Sequence, residues 1–99
     1  MSSFAELMAQ DRRLAILRFL AEDGDYSLNT SILQDCLAAI GHGVSRDQVA
    51  TDCAWLEEQG LVAVEQVGNV SVVKLSPRGA DAAAGRARVP GVKRPQPGI

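Results

Sequence analysis

The sequence predicts an α+β fold that is mainly helical, and three observations lead to this prediction. Apolar residues recur at helical spacing in three segments within residues 3–59. Two β-rich runs, VAVEQV and VSVVKL, flank the pair Gly68-Asn69, which favours a two-residue hairpin turn. Ser76-Pro77 then supplies an N-cap and a first-turn proline for a final helix.

The third helix has the best-defined ends. Ser45 followed three residues later by Gln48 forms a capping box, and Gly60 fits a left-handed C-terminal cap. The first helix is expected over residues 3–22, with a kink or break near Gln10 and Asp11, and the second over residues 30–40. A helix that stops at a glycine and passes directly into a hairpin is typical of a winged helix.

The short connection over residues 41–44 is expected to hold the second and third helices at a steep angle, as in a helix-turn-helix pair. The sequence therefore predicts a winged helix-turn-helix. It comprises a three-helix core, a two-stranded β-hairpin wing, a C-terminal helix and an extended tail.

Composition is that of one small globular domain. The chain has 99 residues, of which 46% are hydrophobic and 22% are charged. No apolar stretch approaches the roughly 20 residues that span a bilayer, and the start lacks the pattern of a signal peptide. We expect a soluble protein with no membrane partner.

The domain division follows from composition. Residues 1–85 are predicted to form the winged-helix domain, and residues 86–99 a basic, Pro/Gly-rich flexible tail. The ending GRARVPGVKRPQPGI has no helical or strand period, which favours an extended, mobile arm.

Residues typical of an active site or a metal site are missing from the pattern. Neither Cys36 nor Cys53 belongs to a CxxC pair, and His42 is the single histidine. No nucleophile with a nearby base and no phosphate-cradling glycine loop is present. We therefore expect a non-enzymatic protein that needs no metal and no cofactor, in which the cysteines are small core residues.

Charge is distributed unevenly. Through residue 75 there are five basic and eleven acidic residues, a net charge of −6, whereas the remainder has five basic residues and one acidic, a net charge of +4. The third helix carries four acidic residues and a single cation: Asp47, Asp52, Glu57, Glu58 and Arg46. This helix would oppose a phosphate backbone, and the basic tail could offset that repulsion. The alternative for the tail is a solvated segment with no specific partner.

The wing has one clearly apolar face and one ambiguous face. Alternation places Val62, Val64, Val73 and Leu75 inward, and Val67, Val70 and Val72 outward. Exposed valines suit a dry protein surface better than they suit phosphate. The alternative is that they pack beneath the tail or the first helix.

Two segments, DRRLAILRFLAED and VATDCAWLEEQGLV, resemble the first helix and the reading helix of ArsR-type winged-helix regulators. The cysteine-containing motif of the arsenic sensors is absent. The whole chain, including AAGRARVPGVKRP, resembles a family of small winged-helix proteins of Mu-like phages and prophages, encoded among late genes near packaging functions. This resemblance implies a phage-encoded protein that acts in the cytoplasm of a bacterial host or in particle assembly.

The leading hypothesis is a non-enzymatic winged-helix DNA-binding protein that acts in phage transcriptional control or DNA packaging. Its partner would be double-stranded DNA. The residues predicted to bind DNA are Ser45, Arg46, Gln48 and Thr51 in the major groove, Lys74 on phosphate, and Arg86, Arg88, Lys93 and Arg94 for salt-dependent binding.

The alternative is a winged helix used for protein interaction, as an adaptor for a terminase, a host polymerase or another phage protein. Its partner-binding residues would be Asp47, Glu58, Val67, Val70 and Val72. The oligomeric state stays open, since a first helix that is apolar on two sides is compatible with a homodimer.

Overall fold

A computed structural model describes residues 3–97 of the chain. Within these residues the elements are α1 (Phe4–Glu22), β1 (Ser27–Asn29), α2 (Thr30–Ala39), α3 (Arg46–Glu58), β2 (Val62–Val67), β3 (Val70–Leu75) and α4 (Pro77–Ala83). The strands form one antiparallel sheet in the order β1-β3-β2. The predicted mainly helical α+β fold is confirmed, whereas α1 runs without the break expected near Gln10 and Asp11. Strand β1 was not predicted, because its three residues belong to a segment, residues 24–29, whose composition is typical of a turn.

Each helix of the described chain begins with a side-chain cap. The cap oxygen accepts a hydrogen bond from the backbone N–H three residues further on, as in the pairs Ser3–Glu6, Asn29–Ile32, Ser45–Gln48 and Ser76–Gly79. Such a cap stabilises a helix by about 1 kcal/mol. The caps predicted at Ser45 and Ser76 are therefore confirmed. Gly60 has a φ of 75°, which confirms the left-handed residue after α3.

The hairpin has the predicted register. Val67 pairs with Val70 and Val64 with Val73, and only Gly68 of the two turn residues has a positive φ, 63°. A positive φ at the first turn residue alone is typical of a type II′ turn, whose twist matches that of the flanking strands. β1 pairs with the other edge of β3, with Leu28 opposite Val73.

One hydrophobic core joins all three helices before the hairpin to the inner face of the sheet. Its fully buried large side chains include Leu17 of α1, Leu33 of α2, Leu56 of α3 and Val73 of β3. Cys53 is also in this core, and burial together with the charge of Asp52 raises the pKa of its thiol to about 12. The thiol is therefore protonated and unreactive at neutral pH.

The C-terminal segment differs from the expected mobile arm. Residues 86–97 contain no helix or strand, yet Val89 is 4% exposed and belongs to the core. The backbone N–H of Lys93 donates to the Gln10 carbonyl of α1 at 3.2 Å. The apolar side chain at Val89 is the physical reason, because a purely polar arm would gain nothing by packing on the core.

His42 lies in the connection between α2 and α3 that was predicted over residues 41–44, and it is buried. It is 5% exposed, and its Nε2 donates to the Asp11 carboxylate of α1 at 2.6 Å. Asp11 also accepts from the Lys93 ammonium at 3.2 Å. The hydrogen bond from His42, followed by Lys93, holds the pKa of Asp11 below its ordinary value of 3.8.

A depressed carboxylate pKa stabilises the fold above the unfolded-state pKa, and this contribution disappears as the pH falls through the folded-state pKa. We therefore expect Asp11→Asn to lower the free energy of unfolding at neutral pH. The loss should stay under about 1 kcal/mol because the carboxylate is partly solvated. Urea unfolding of wild type and variant from neutral pH to below 3.8 measures it. The free energies of unfolding of wild type and variant should converge in acid. Asp25→Asn, in an exposed turn, is the control. Parallel curves over the whole range would contradict the prediction.

Candidate nucleic-acid interface

The start of α2, the start of α3 and the hairpin turn converge on one cleft. It has a volume of about 310 Å³. Its lining combines polar, charged and apolar residues: Asn29, Thr30, Ser31, Arg46, Asp47, Ala50, Asn69, Val70 and Ser71. Two helix N-termini therefore border the same space, since Asn29 caps α2 and Ser45 caps α3. Backbone N–H groups at a helix N-terminus favour an anion nearby.

Arg46 is the cation of this cleft. Its Nη2 donates to the Ser31 hydroxyl at 3.3 Å and its Nε to Gln34 Oε1 at 3.4 Å. Both partners are neutral, and Arg46 makes no ion pair with any residue between 3 and 97. The guanidinium is therefore oriented by α2 while its charge remains available to a ligand.

The predicted major-groove residues are not equally accessible. Ser45, Arg46 and Thr51 are exposed at the beginning of α3. Gln48 is half-buried, and its Nε2 donates to Asp52 Oδ1 at 3.1 Å instead of returning to the Ser45 backbone. The reciprocal half of the predicted capping box is thus replaced by a contact within α3.

The burial of Asp52 makes the exposed charge of α3 less negative than the sequence predicts. It is 3% exposed and forms a bidentate ion pair with Arg12 of α1, in which Nη2 donates to Oδ1 at 3.1 Å and Nε donates to Oδ2. Glu57 is also engaged, because its Oε2 accepts from the Val64 backbone N–H at 2.8 Å. The acidic residues of α3 without such a partner in residues 3–97 are Asp47 and Glu58. The helix is consequently less repulsive to phosphate than its sequence suggests.

Lys74 lies away from the cleft. It is on β3 next to the β1 edge, opposite Ser27, and its Nζ lies 3.4 Å from Glu65 Oε2. Because the side chains of both partners are more than half exposed, this pair contributes little to stability. The structure therefore does not bring Lys74 together with Arg46.

The outer face of the wing exposes two valines at its tip. Val67 is 56% exposed and Val70 is 44% exposed, whereas Val72 is half-buried where β3 pairs with Asn29 of β1. The expected outward direction of Val67 and Val70 is confirmed. Neither belongs to the core cluster or to the residues packed against it.

Trp55 connects α3 to α1 and to the C-terminal segment. The Arg13 guanidinium lies 4.1 Å from the centroid of the indole, and Arg13 Nη1 donates to the Gly91 carbonyl at 2.9 Å. A Cβ on Gly91 would lie 2.6 Å from Cζ2 of the indole. Trp55 therefore packs between Arg13 and Gly91.

The four predicted tail cations are all exposed and follow α4 along the chain. Lys93 and Arg94 lie against α1, where they line a depression with Asp11 and Arg18. None of the four hydrogen bonds to a residue of α3 or of the hairpin in the described chain. Arg18 was not among the predicted site residues, and only its i+7 spacing from Asp11 could have placed it on the same face of α1.

Two further absences concern residues 3–97. No helix in this range is long and apolar enough to cross a membrane. No group of three or more His, Cys, Asp or Glu side chains in this range is arranged to hold a metal ion.

Comparisons with known proteins assign the chain to Mu-like phages. No protein-family model matches it. It is 55% identical over 92 residues to the uncharacterized protein gp26 of Escherichia phage Mu. The aligned region covers 93% of this chain and 95% of gp26. It is also 52% identical over 65 residues to an uncharacterized protein of Haemophilus influenzae, of which the match spans 63%. The chain is therefore a Mu-like phage protein. It belongs to the same family as gp26 of phage Mu.

Proposed function

We propose that this protein is a non-enzymatic winged-helix DNA-binding protein that acts in phage transcriptional control or in DNA packaging. The observation that carries the proposal is the cleft between the N-termini of α2 and α3 and the hairpin turn, in which Arg46 has no acidic partner in residues 3–97. The element order α1-β1-α2-α3-β2-β3, with β3 central in the sheet, is typical of winged helices and supports the same proposal.

The chemistry of the cleft fits a nucleic-acid backbone. The Arg46 guanidinium can bind a phosphate bidentately, and the Ser31, Asn69 and Ser71 side chains offer hydrogen-bond donors around it. Thr51 lies one turn further along α3, on the exposed side where it could reach a base edge. The partial burial of Gln48 makes it a positioning residue for Asp52 in this proposal rather than a base contact.

A second candidate, a protein-interaction module, is favoured by the exposed valines. Val67 and Val70 form an apolar tip on the wing, and Asp47 and Glu58 leave α3 with acidic groups that a basic protein surface could bind. In this candidate the adaptor would join a terminase, a host polymerase or another phage protein.

Binding of the full chain to a short fluorescent duplex of mixed sequence, measured by anisotropy at several salt concentrations, tests the proposal. We expect binding at low salt that weakens linearly on a log–log plot. Arg46→Gln should reduce the magnitude of the slope by about 0.9, the value of one phosphate contact. Arg78→Gln removes the same charge from α4 and should leave the slope unchanged.

The wing variant distinguishes the two candidates. Val67→Ser should leave duplex binding unchanged if DNA lies in the cleft, because Val67 is exposed at the tip of the wing and does not line the cleft. If wild type does not bind duplex DNA even at low salt, the DNA-binding proposal is wrong and the protein-interaction candidate takes its place.

A further inference from the structure

Arg18, Lys93 and Arg94 lie around one depression on α1, which we call the α1–tail surface. The depression has a volume of about 280 Å³, and Asp11 is the one acidic residue that lines it. Asp11 is already engaged with His42 and Lys93, whereas Arg18 and Arg94 make no ion pair within residues 3–97. The folded chain therefore concentrates positive charge at a place that is not part of the α3 cleft.

The C-terminal segment has a built attachment to this surface. Val89 is in the hydrophobic core, and Gly91 lies against the Trp55 ring with a φ of 94°. Gly91 accepts from Arg13, and the Lys93 backbone donates to Gln10 of α1. These contacts order the backbone on both sides of Pro90 and bring Lys93 and Arg94 next to Arg18.

An anion-binding surface that is ordered before binding has an energetic advantage over a mobile arm. Fixing the residues of a free chain on binding costs conformational entropy. A segment of several residues would lose much of its electrostatic gain to this cost on every binding event. Cations that are already held on α1 do not incur this entropy cost on binding.

We infer that the α1–tail surface contacts the phosphate backbone of duplex DNA from its docked position, as a second contact region in addition to the α3 cleft. This inference rests on the proposed function and deepens it. The inference requires that the C-terminal segment is held on α1 when DNA binds, and the positive charge of the tail alone does not satisfy it. It also adds Arg18 of α1 to the DNA-contacting residues.

The variant Gly91→Ala tests docking without changing any charge. Its methyl group would overlap the Trp55 ring, so the segment must leave its position. Gly41→Ala is a matched control, since Gly41 has the same φ of 94° but nothing within 4 Å of its added Cβ. Trp55 is the single tryptophan, and a red shift of its emission reports release of the segment.

Duplex binding by anisotropy over a range of salt concentrations then gives the readout. Arg18→Gln with Arg94→Gln should reduce the magnitude of the log–log slope by about 1.8. Arg78→Gln, which removes one positive charge outside the surface, is the control and should leave the slope unchanged. Gly91→Ala should weaken low-salt binding several-fold and reduce the slope in the same direction. Gly41→Ala should not.

Each result decides the inference. If Gly91→Ala releases the segment but binds DNA as wild type does, the cations act as a mobile arm and the inference is wrong. If emission is unchanged in Gly91→Ala, the arginine pair decides, and an unchanged slope in that pair overturns the inference. In both cases a smaller log–log slope in Arg46→Gln than in wild type would still support the proposed function. If wild type does not bind duplex DNA, the inference and the proposed function are both wrong.

Discussion

Replacing Asp52 by alanine is expected to lower the free energy of unfolding by about 3–5 kcal/mol. The carboxylate is 3% exposed and accepts from both Arg12 and Gln48. Its removal leaves the guanidinium of Arg12, a residue that is 8% exposed, without a counter-charge between α1 and α3. An unpaired buried charge costs far more than the net value of the pair.

Equilibrium unfolding in urea, followed by circular dichroism at neutral pH, measures this loss. The double variant Arg12→Met with Asp52→Leu is the control, because it replaces both charges by apolar groups of similar volume. It should unfold within about 1–2 kcal/mol of wild type, on either side. A loss of less than 1 kcal/mol in Asp52→Ala would mean that Arg12 finds solvent, and that the pair does not join α1 to α3 as described.

The same ion pair explains a limit of sequence reasoning for the candidate site. Asp52 was counted by its charge among the acidic residues that would repel DNA, although its spacing from Val49 and Leu56 places it beside the buried face of α3. Its partner lies 40 residues earlier. Periodicity describes faces of one helix, but it does not identify which side chain of another helix meets that face.

Local signals predicted the fold well where they were complete within a few residues. The cap at Ser45, the left-handed residue at Gly60 and the register around Gly68-Asn69 each depend on hydrogen bonds or φ values close in sequence. β1 was missed because three residues are too few for alternation to be recognised. It forms because β3 offers it an edge, which is a tertiary effect.

The C-terminal segment is the other place where local reasoning was insufficient. Its prolines, glycines and cations are typical of a mobile arm. One valine and one glycine alter that outcome, because Val89 fits the core and Gly91 permits close approach to Trp55. In the sequence, neither residue can be distinguished from an ordinary tail residue. The consequence for the candidate site is that Lys93 and Arg94 lie on α1.

Replacing Gly79 by alanine is expected to lower the free energy of unfolding by about 3 kcal/mol. Gly79 lies in the first turn of α4, and a Cβ there would overlap the Leu61 carbonyl oxygen and would lie 2.7 Å from Cδ1 of Leu75. The Leu61 carbonyl already accepts from the Ser76 backbone N–H at 3.0 Å, so it has little freedom to move. α4 would have to separate from the start of β2.

The sign of this effect is informative because helix propensity acts in the opposite direction. Alanine is about 1 kcal/mol more favourable than glycine inside a helix, so a merely local change would be stabilising. Gly24→Ala is the matched control, since nothing lies within 4 Å of its added Cβ. That variant should stay within about 0.5 kcal/mol of wild type in the same urea experiment. If Gly79→Ala were as stable as wild type, the close packing of α4 on the backbone of Leu61 would be contradicted.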